Sequence, residues 1–437
     1  MSSSWLSLEE ALAKALAATH TVSDVERVSL FSAHRRVVAQ DVVATLDVPP
    51  WDNSAMDGFA INAGSYHQGQ ALIVQGIITA GEKASTPLAV GHAFKIMTGA
   101  PIPDGANAVI MIENCGSDAN GNVIIHEAPT PGQNIRPQAN DITKGQVLIK
   151  KGTQLRAEHL MLLSSQGLNE VVVYRKLRVG IVATGNELAA PGELRGDTQI
   201  YESNRVGISA ILSDENVEVI DFGIVEDDKA SLAKLFNQAA SSTSDSSNNR
   251  PGLGTPTIRT GTGTRASTNA SADNSVDIMV SSGGVSVGDA DYVKDVIEAM
   301  GHIEFWKIAV KPGKPFALGR LNNTVFCGLP GNPVSSFVTA KLLVLPIISK
   351  MQGRQDGHTA LTVTATLTKD IKRRAGRRDY QRATMSYDDN GNVVVTPFET
   401  QSSGVMTSIT SANCFMIIHE DISTLSIGDK VPVMPFV

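Results

Sequence analysis

Between a short apolar run and a helix-forming segment lies Ser281-Ser-Gly-Gly-Val-Ser-Val-Gly-Asp-Ala-Asp291-Tyr292. Glycines let a backbone close tightly on a ligand, and free N–H groups at a helix start attract an anion. Ser282, Gly283 and Gly284 are therefore read as a seat for a phosphate or similar oxyanion. A tight turn that only needs small residues accounts for the same string. Carboxylates follow three predicted strands: Glu187 after the first, Asp227-Asp228 after the second and Asp291 at the end of the glycine loop. Such a set suits Mg²⁺, which takes oxygen ligands and bridges substrate phosphates through one or two carboxylates, so Glu187, Asp227 and Asp291 are the candidate metal ligands. The Asp pair equally suits a cap on a helix starting near Lys229. Lys307, Lys311 and Lys314 lie in Phe305-Trp-Lys-Ile-Ala-Val-Lys-Pro-Gly-Lys-Pro-Phe316, otherwise apolar and restrained by prolines. Cations in such a stretch need a partner, and a bound anion would provide one. Upstream, Asp52-Asn-Ser-Ala-Met-Asp57-Gly-Phe59, Met97-Thr98-Gly-Ala-Pro-Ile-Pro103 and Asn134-Ile-Arg136-Pro-Gln-Ala-Asn-Asp141 set polar residues among turn formers. They fit a ligand-facing surface or plain loop structure.

Other chemistries find no support. The nine His residues are scattered without HExxH or Cys/His spacing, and neither a GxSxG elbow nor a Walker loop occurs. Gly261-Thr-Gly-Thr-Arg-Ala266 has the letters of a dinucleotide fingerprint but not the flanking strand and helix that give it meaning. Cys115, Cys327 and Cys414 are too far apart for a metal knuckle and read as buried thiols in a reducing compartment. A net charge of -7 speaks against a general nucleic-acid or membrane-surface binder. The first ten residues lack a basic stretch followed by an apolar one, and no run of about 18 apolar residues occurs, which makes the cytoplasm the expected location.

The elements that must carry these residues follow from periodicity. The length suggests roughly three folding units. Residues 7–40 read as two helices, the first with a capping box from Ser7 and Glu10, the second over Val28–Val38. Residues 46–144 read as β-rich, and a helix around Glu158–Gln166 ends at Gly167. From Arg178 strands and helices alternate: strands at 178–183, 217–224, 277–281 and 325–327, helices at 204–212, 229–240, 292–300 and 334–348. That order predicts a doubly wound, mainly parallel sheet with its ligand beyond the strands' carboxyl ends. Ser, Thr, Asn and Gly fill 23 of the 35 positions from 241 to 275, so this stretch cannot pack a core and reads as a disordered insertion. Past Gly353, alternation at 362–367, 393–395 and 414–418 predicts a small β-rich C-terminal domain.

Taken in order, these strings resemble the MoeA family of molybdopterin molybdotransferases and the equivalent E domains of gephyrin-type proteins. The motifs are DNSAMDGFA, IMTGAPIP, NIR with its downstream Asp, ATGNEL, SSGGVSVGDADY, FWKIAVKPGKPFALG and FCGLPGNPVS. The resemblance implies an enzyme that takes adenylylated molybdopterin and molybdate, cleaves the adenylate with Mg²⁺ and leaves molybdenum on the dithiolene. It implies a multidomain α/β-plus-β fold: an elongated α+β domain from residues 1–45 and 145–177, a β-rich inserted domain at 46–144, a MogA-like α/β domain at 178–357 and a small C-terminal β-barrel at 358–437. By motif position it assigns Asp57, Thr98, Asp141, Glu187, Asp227, Asp291, Lys307 and Lys311 to catalysis. Arg136, Ser282–Gly284, Lys314, Pro330 and Pro333 are assigned to substrate. A homodimer with composite sites is implied, the β-rich domain of one subunit facing the α/β domain of the other. So are a molybdopterin adenylyltransferase and acceptor molybdenum enzymes as partners. Departures occur at Asn186, where many members have Asp, and at Pro137–Asn140, where many are more basic. Two rival functions remain at this point: a MogA-like adenylyltransferase on the same α/β fold, and a gephyrin-like dimeric scaffold.

Overall fold

The computed structural model describes residues 5–240, 275–285, 292–357 and 360–436. The α/β alternation builds a six-stranded sheet in the order Glu218–Val225, Arg178–Thr184, Ile278–Ser282, Thr324–Leu329, Pro315–Leu321, Gly301–Lys307. The first four run parallel, and the last two join as an antiparallel hairpin. Ile278–Ser282 and Thr324–Leu329 are buried at every residue, as continuous apolar strands must be when helices cover both faces. One face packs on Asn204–Ser213 and the helical run from Pro333 to Met351. The other packs on Lys229–Ala240 and Tyr292–Met300. The sheet is thus doubly wound, as expected. The run Pro333–Met351 is long and apolar enough to cross a bilayer, but 83% of it is buried inside the protein, where it serves as the core helix.

The predicted capping box is present: Glu10 N–H donates to Ser7 Oγ at 3.1 Å and Ser7 N–H to Glu10 Oε2 at 2.8 Å, starting the helix Leu8–Ala17. That helix buries Ala11 and Ala15 in the α/β core. The second expected helix, over 28–38, does not form. Val25–Ser29 is a strand paired antiparallel with Glu170–Tyr174, followed by a 3₁₀ turn at Leu30–Ser32 and Arg35 at φ 62°. Val25 and Val28 are β-branched and stiff at χ1, and Glu170-Val-Val-Val-Tyr174 offers them an edge, so sheet pairing overrides apolar spacing that also fits a helix. Helix Ala157–Ser165 stops ahead of Gly167 at φ 71° as anticipated.

Six strands form the β-rich sheet, in the order Ala108–Met111, Gly58–Ile61, His92–Ile96, Ala71–Ile78, Val123–Ile125, Cys115–Ser117. At the C-terminal end Arg378–Tyr387, Val393–Pro397, Val363–Leu367, Lys430–Pro435 and Cys414–Ile418 close into a five-stranded barrel, because Arg378–Tyr387 also pairs with Cys414–Ile418. Closure leaves no long open edge. One short strand from the α/β unit, Val310–Lys311, joins the barrel beside Arg378 and Asp379. Cys327 and Cys414 are buried and Cys115 partly so; none is in a disulfide. Burial pushes the Cys327 thiol up to about 12 and those of Cys115 and Cys414 to about 11, so all three remain inert thiols.

Candidate active site

In an open parallel sheet the ligand crevice lies beyond the carboxyl ends of the strands, where neighbouring strands send their connections to opposite faces. Here Arg178–Thr184 and Ile278–Ser282 are such a pair, and a cavity of about 410 Å³ opens over their ends. Thr184, Glu187, Asp227, Ser282–Gly284, Pro330 and Pro333 line it. Seven of the sequence-predicted residues are thereby brought together. Two of them depend on having no side chain. Gly283 has φ 92°, and a Cβ there would sit 2.5 Å from the Thr184 carbonyl oxygen. Gly284 has φ 68°, and its Cβ would meet Val293 Cγ2 at 2.4 Å. Any larger residue would strain the backbone and fill the approach to the ligand.

The two Asp residues separate cleanly. Asp228 Oδ1 accepts from the N–H groups of Ala230 at 2.8 Å and Ser231 at 3.0 Å, capping helix Lys229–Ala240. Asp227 turns to the cavity, where its Oδ1 accepts from Thr184 Oγ1 at 3.4 Å. Burial pushes the Asp227 carboxyl above its usual range; the Thr184 bond opposes this, and the charges of Glu187 and Asp228 push the same way as burial. Asn186 Oδ1 accepts from the Asp227 N–H at 3.3 Å, so this amide braces the site.

Two residues at the cavity wall went unrecognised in the sequence. Asn204 Nδ2 donates to Ser282 Oγ at 2.8 Å and to the Gly331 carbonyl at 2.7 Å, tying the glycine loop to the Gly328–Pro333 loop. Glu202 is 3% exposed; its Oε1 accepts from the Arg205 N–H at 2.7 Å, while Oε2 is buried without a hydrogen bond. Both stand in Tyr201-Glu-Ser-Asn204 just before or at a helix start, where polar residues read as caps. Asp291 lies outside the described residues, as do the formal fingerprint at 261–266 and all of the insertion but Ser275. Among the described residues no group of three or more His, Cys, Asp or Glu side chains is arranged to hold a metal ion unaided.

The three lysines sit on the edge hairpin beside the cavity rather than in its wall, which Pro315 reaches. Lys307 is half-buried and pairs in register with Pro315. Lys314 holds its ammonium 4.4 Å from the centre of the Trp5 ring, a cation–π contact. Lys311 Nζ donates to Asp379 Oδ2 of the barrel at 3.2 Å. Two of the three thus have partners within the chain.

A second cluster forms in the β-rich unit. Gly58–Ile61 and His92–Ile96 are antiparallel neighbours with Gly58 opposite Ile96, which sets Asp57 beside Thr98. Asp57 Oδ1 accepts from both the N–H and the Oγ1 of Thr98, each at 2.7 Å. These two bonds, the backbone one first, hold the Asp57 carboxyl below its ordinary value. Gly58 is required here, since a Cβ would lie 1.9 Å from the Ile110 carbonyl oxygen. Ile135–Arg136 pairs with Asn53–Ser54, bringing Arg136 to the same surface; Arg136 and Asp141 are exposed. Among the described residues, none of Asp57, Thr98, Arg136 and Asp141 shares a hydrogen bond or ion pair with the α/β unit.

Comparison with known proteins gives the family of the chain. Residues 6–167 match the model of the MoeA N-terminal region, domains I and II. Residues 262–350 match one described as "Probable molybdopterin binding domain", and 364–436 match the MoeA C-terminal region, domain IV. The molybdopterin molybdenumtransferase of Haemophilus influenzae is 36% identical over 431 residues, covering 99% of this chain and 98% of that one. That of a Nostoc species is 30% identical over 420 residues, covering 94% and 88%. The crystal structure of a molybdopterin biosynthesis moeA protein from Pyrococcus horikoshii superposes with a TM-score of 0.78 at 28% identity, over 99% of this chain and all of that one. With three family models matched in order, and aligned over 99% of its length with a 36% identical relative, the chain belongs to the MoeA family.

Proposed function

We propose that this chain is a molybdopterin molybdotransferase of molybdenum cofactor biosynthesis, which inserts molybdenum from molybdate into adenylylated molybdopterin and releases AMP. The observation that carries the reading is the cavity itself: a glycine-lined anion seat facing Glu187 and Asp227 at the strand ends. It coincides with a family whose full-length relatives bear that activity in their names. Cleaving a phosphoanhydride and placing an oxyanion call for positioning and charge neutralisation more than for a protein nucleophile. None of the three cysteines is a reactive thiolate, in keeping with this.

The donor set fits Mg²⁺. Asp227 is a carboxylate whose ionised form is disfavoured by burial and by Glu187, and such a site gains from a cation. A magnesium ion that keeps its waters and a substrate phosphate needs only one or two protein carboxylates. Glu187 and Asp227 would hold it, with Asp291 as a third, and it would neutralise charge on the adenylate phosphates. The chain's own residues do the rest. Ser282–Gly284 admit the phosphate, Asn204 fixes the loop, and Pro330 and Pro333 shape the wall. Lys307, Lys311, Lys314 and Arg136 offset the charge of molybdate or phosphate.

Among the described residues the β-rich cluster neither lines the cavity nor bonds to the α/β unit, which supports a composite site in a homodimer, one subunit giving Asp57, Thr98, Arg136 and Asp141. Residues 1–45 with 145–177, 46–144, 178–357 and 358–437 are the proposed domains. The adenylyltransferase and the acceptor molybdenum enzymes remain proposed partners, and the free thiols and buried core helix suit a cytoplasmic location. A reconstituted assay decides the function: AMP release must depend on molybdate and fall steeply, though measurably, in Lys311→Ala. Consumption of ATP and molybdopterin without molybdate would instead identify an adenylyltransferase, a reading the full-length relatives disfavour. Unchanged turnover with an intact dimer in both Asp227→Asn and Lys311→Ala would refute the site map, whereas a dimer without any molybdate-dependent AMP release in the unsubstituted chain would leave only a scaffold.

A further inference from the structure

We propose that Asp379, in the C-terminal barrel, is a positioning residue for the reaction, holding the Lys311 ammonium where the α/β domain needs it. This rests on the reading of Lys311 as an oxyanion-stabilising cation. The backbone makes the juxtaposition: Val310–Lys311 runs parallel to the first residues of strand Arg378–Tyr387, with Lys311 opposite Asp379. The Arg378 N–H donates to the Ala309 carbonyl at 3.1 Å.

The side chains divide the work unequally. Asp379 is 1% exposed, and a buried carboxylate must be compensated by positive charge and donors. Its Oδ2 accepts from Lys311 Nζ at 3.2 Å and from Gln381 Nε2 at 3.1 Å, and lies 3.6 Å from Arg373 Nε. Its Oδ1 is buried with no hydrogen bond. Arg373 is fixed elsewhere, donating to the carbonyls of His419 and Arg377. Two cations therefore ion-pair with one carboxylate, and the fully buried Arg382 lies in its field as well, so positive charge is in excess. The Arg373 side chain is 3% exposed and that of Lys311 37%, so the surplus charge is presented by Lys311. A single carboxylate oxygen pins one ammonium proton and leaves two for an incoming anion. Were the cluster only a staple between domains, nothing would require its cation to stay open on one side.

A double-mutant cycle in the full-length protein tests this, reading kcat and KM for molybdate-dependent AMP release together with the unfolding midpoint. Asp379→Asn is expected to lower kcat by roughly 10- to 100-fold, the scale of losing one electrostatic contact, with little change in KM for adenylylated molybdopterin. Asp379→Asn/Lys311→Met should be no worse than Lys311→Met alone, because the carboxylate acts through the lysine. Asp379→Glu, which keeps the charge, should recover part of the rate and serves if the Asn variant does not fold. Multiplying losses in the double variant, or a lowered midpoint at wild-type kcat, would overturn the positioning role and leave a structural staple. Wild-type turnover in Lys311→Met would instead remove the reading of Lys311 on which the proposal stands.

Discussion

The cavity of the α/β unit and the cluster of the β-rich unit each present an aspartate, and the two are prepared in opposite senses. Asp57 is satisfied by its own domain: two Thr98 donors hold it ionised below its usual range. Asp227 is held above its range by burial and by Glu187, with one long bond from Thr184 in its favour. A group stabilised by its neighbours supports the fold, whereas one frustrated by them awaits something from outside. A strand-end carboxylate is thus recognised less by its presence than by whether the fold has already compensated it.

The comparison breaks most visibly at its frame. Gly283→Ala should destabilise the protein by about 2 kcal/mol or more, because a Cβ meets the Thr184 carbonyl and φ is positive, and turnover should nearly vanish; AMP release and thermal unfolding report both. Next, Asp227→Asn should lower turnover by roughly 100-fold while leaving the midpoint in metal-free buffer unchanged or higher. Asp57→Asn should lower the midpoint, and an equal fall in both variants would erase the distinction. Mg²⁺ should raise the wild-type midpoint through binding to the folded state and leave Asp227→Asn unmoved.

A smaller effect sharpens the contrast by pH. For Asp57 the folded value is depressed, so its stabilisation is present above the ordinary 3.8 and lost as pH falls through the lowered value. For Asp227 the folded value is raised, so its penalty is absent below 3.8 and complete once pH passes the raised value. Midpoint differences between wild type and each Asn variant, followed across acidic pH, should carry opposite signs and both vanish in strong acid. Least of all, trimming residues 241–275 should leave turnover intact, and a large drop would give the insertion a role its composition does not suggest.

Much of the cavity was legible because strand-helix alternation places strand ends on one rim, so Glu187, Asp227 and Ser282–Gly284 follow from local pattern alone. The ambiguity of the Asp pair was legible too, but its resolution was not, since capping by Asp228 depends on where the helix begins. Asn204 and Glu202 stayed hidden because a polar residue near a helix start has an ordinary use. The lysine segment revealed its need for partners but not their identity: Asp379 is far along the chain and in another sheet, beyond any periodicity. Its strands were missed as well, because Pro312-Gly-Lys-Pro315 masks a hairpin whose arms read as a restrained loop. The strand at 25–29 was lost for the opposite reason, an apolar spacing that two elements share.

The first helix carries a consequence for how the chain is made. Ala11 and Ala15 find their burial against the α/β core, including residues near Met351. On the ribosome this helix emerges well before its docking surface, which is among the later parts of that core to be synthesised. The β-rich unit, whose two apolar clusters draw only on residues within 46–144, has the means to fold in the interval. The amino-terminal helix therefore closes the α/β core late, a high-contact-order step in assembly.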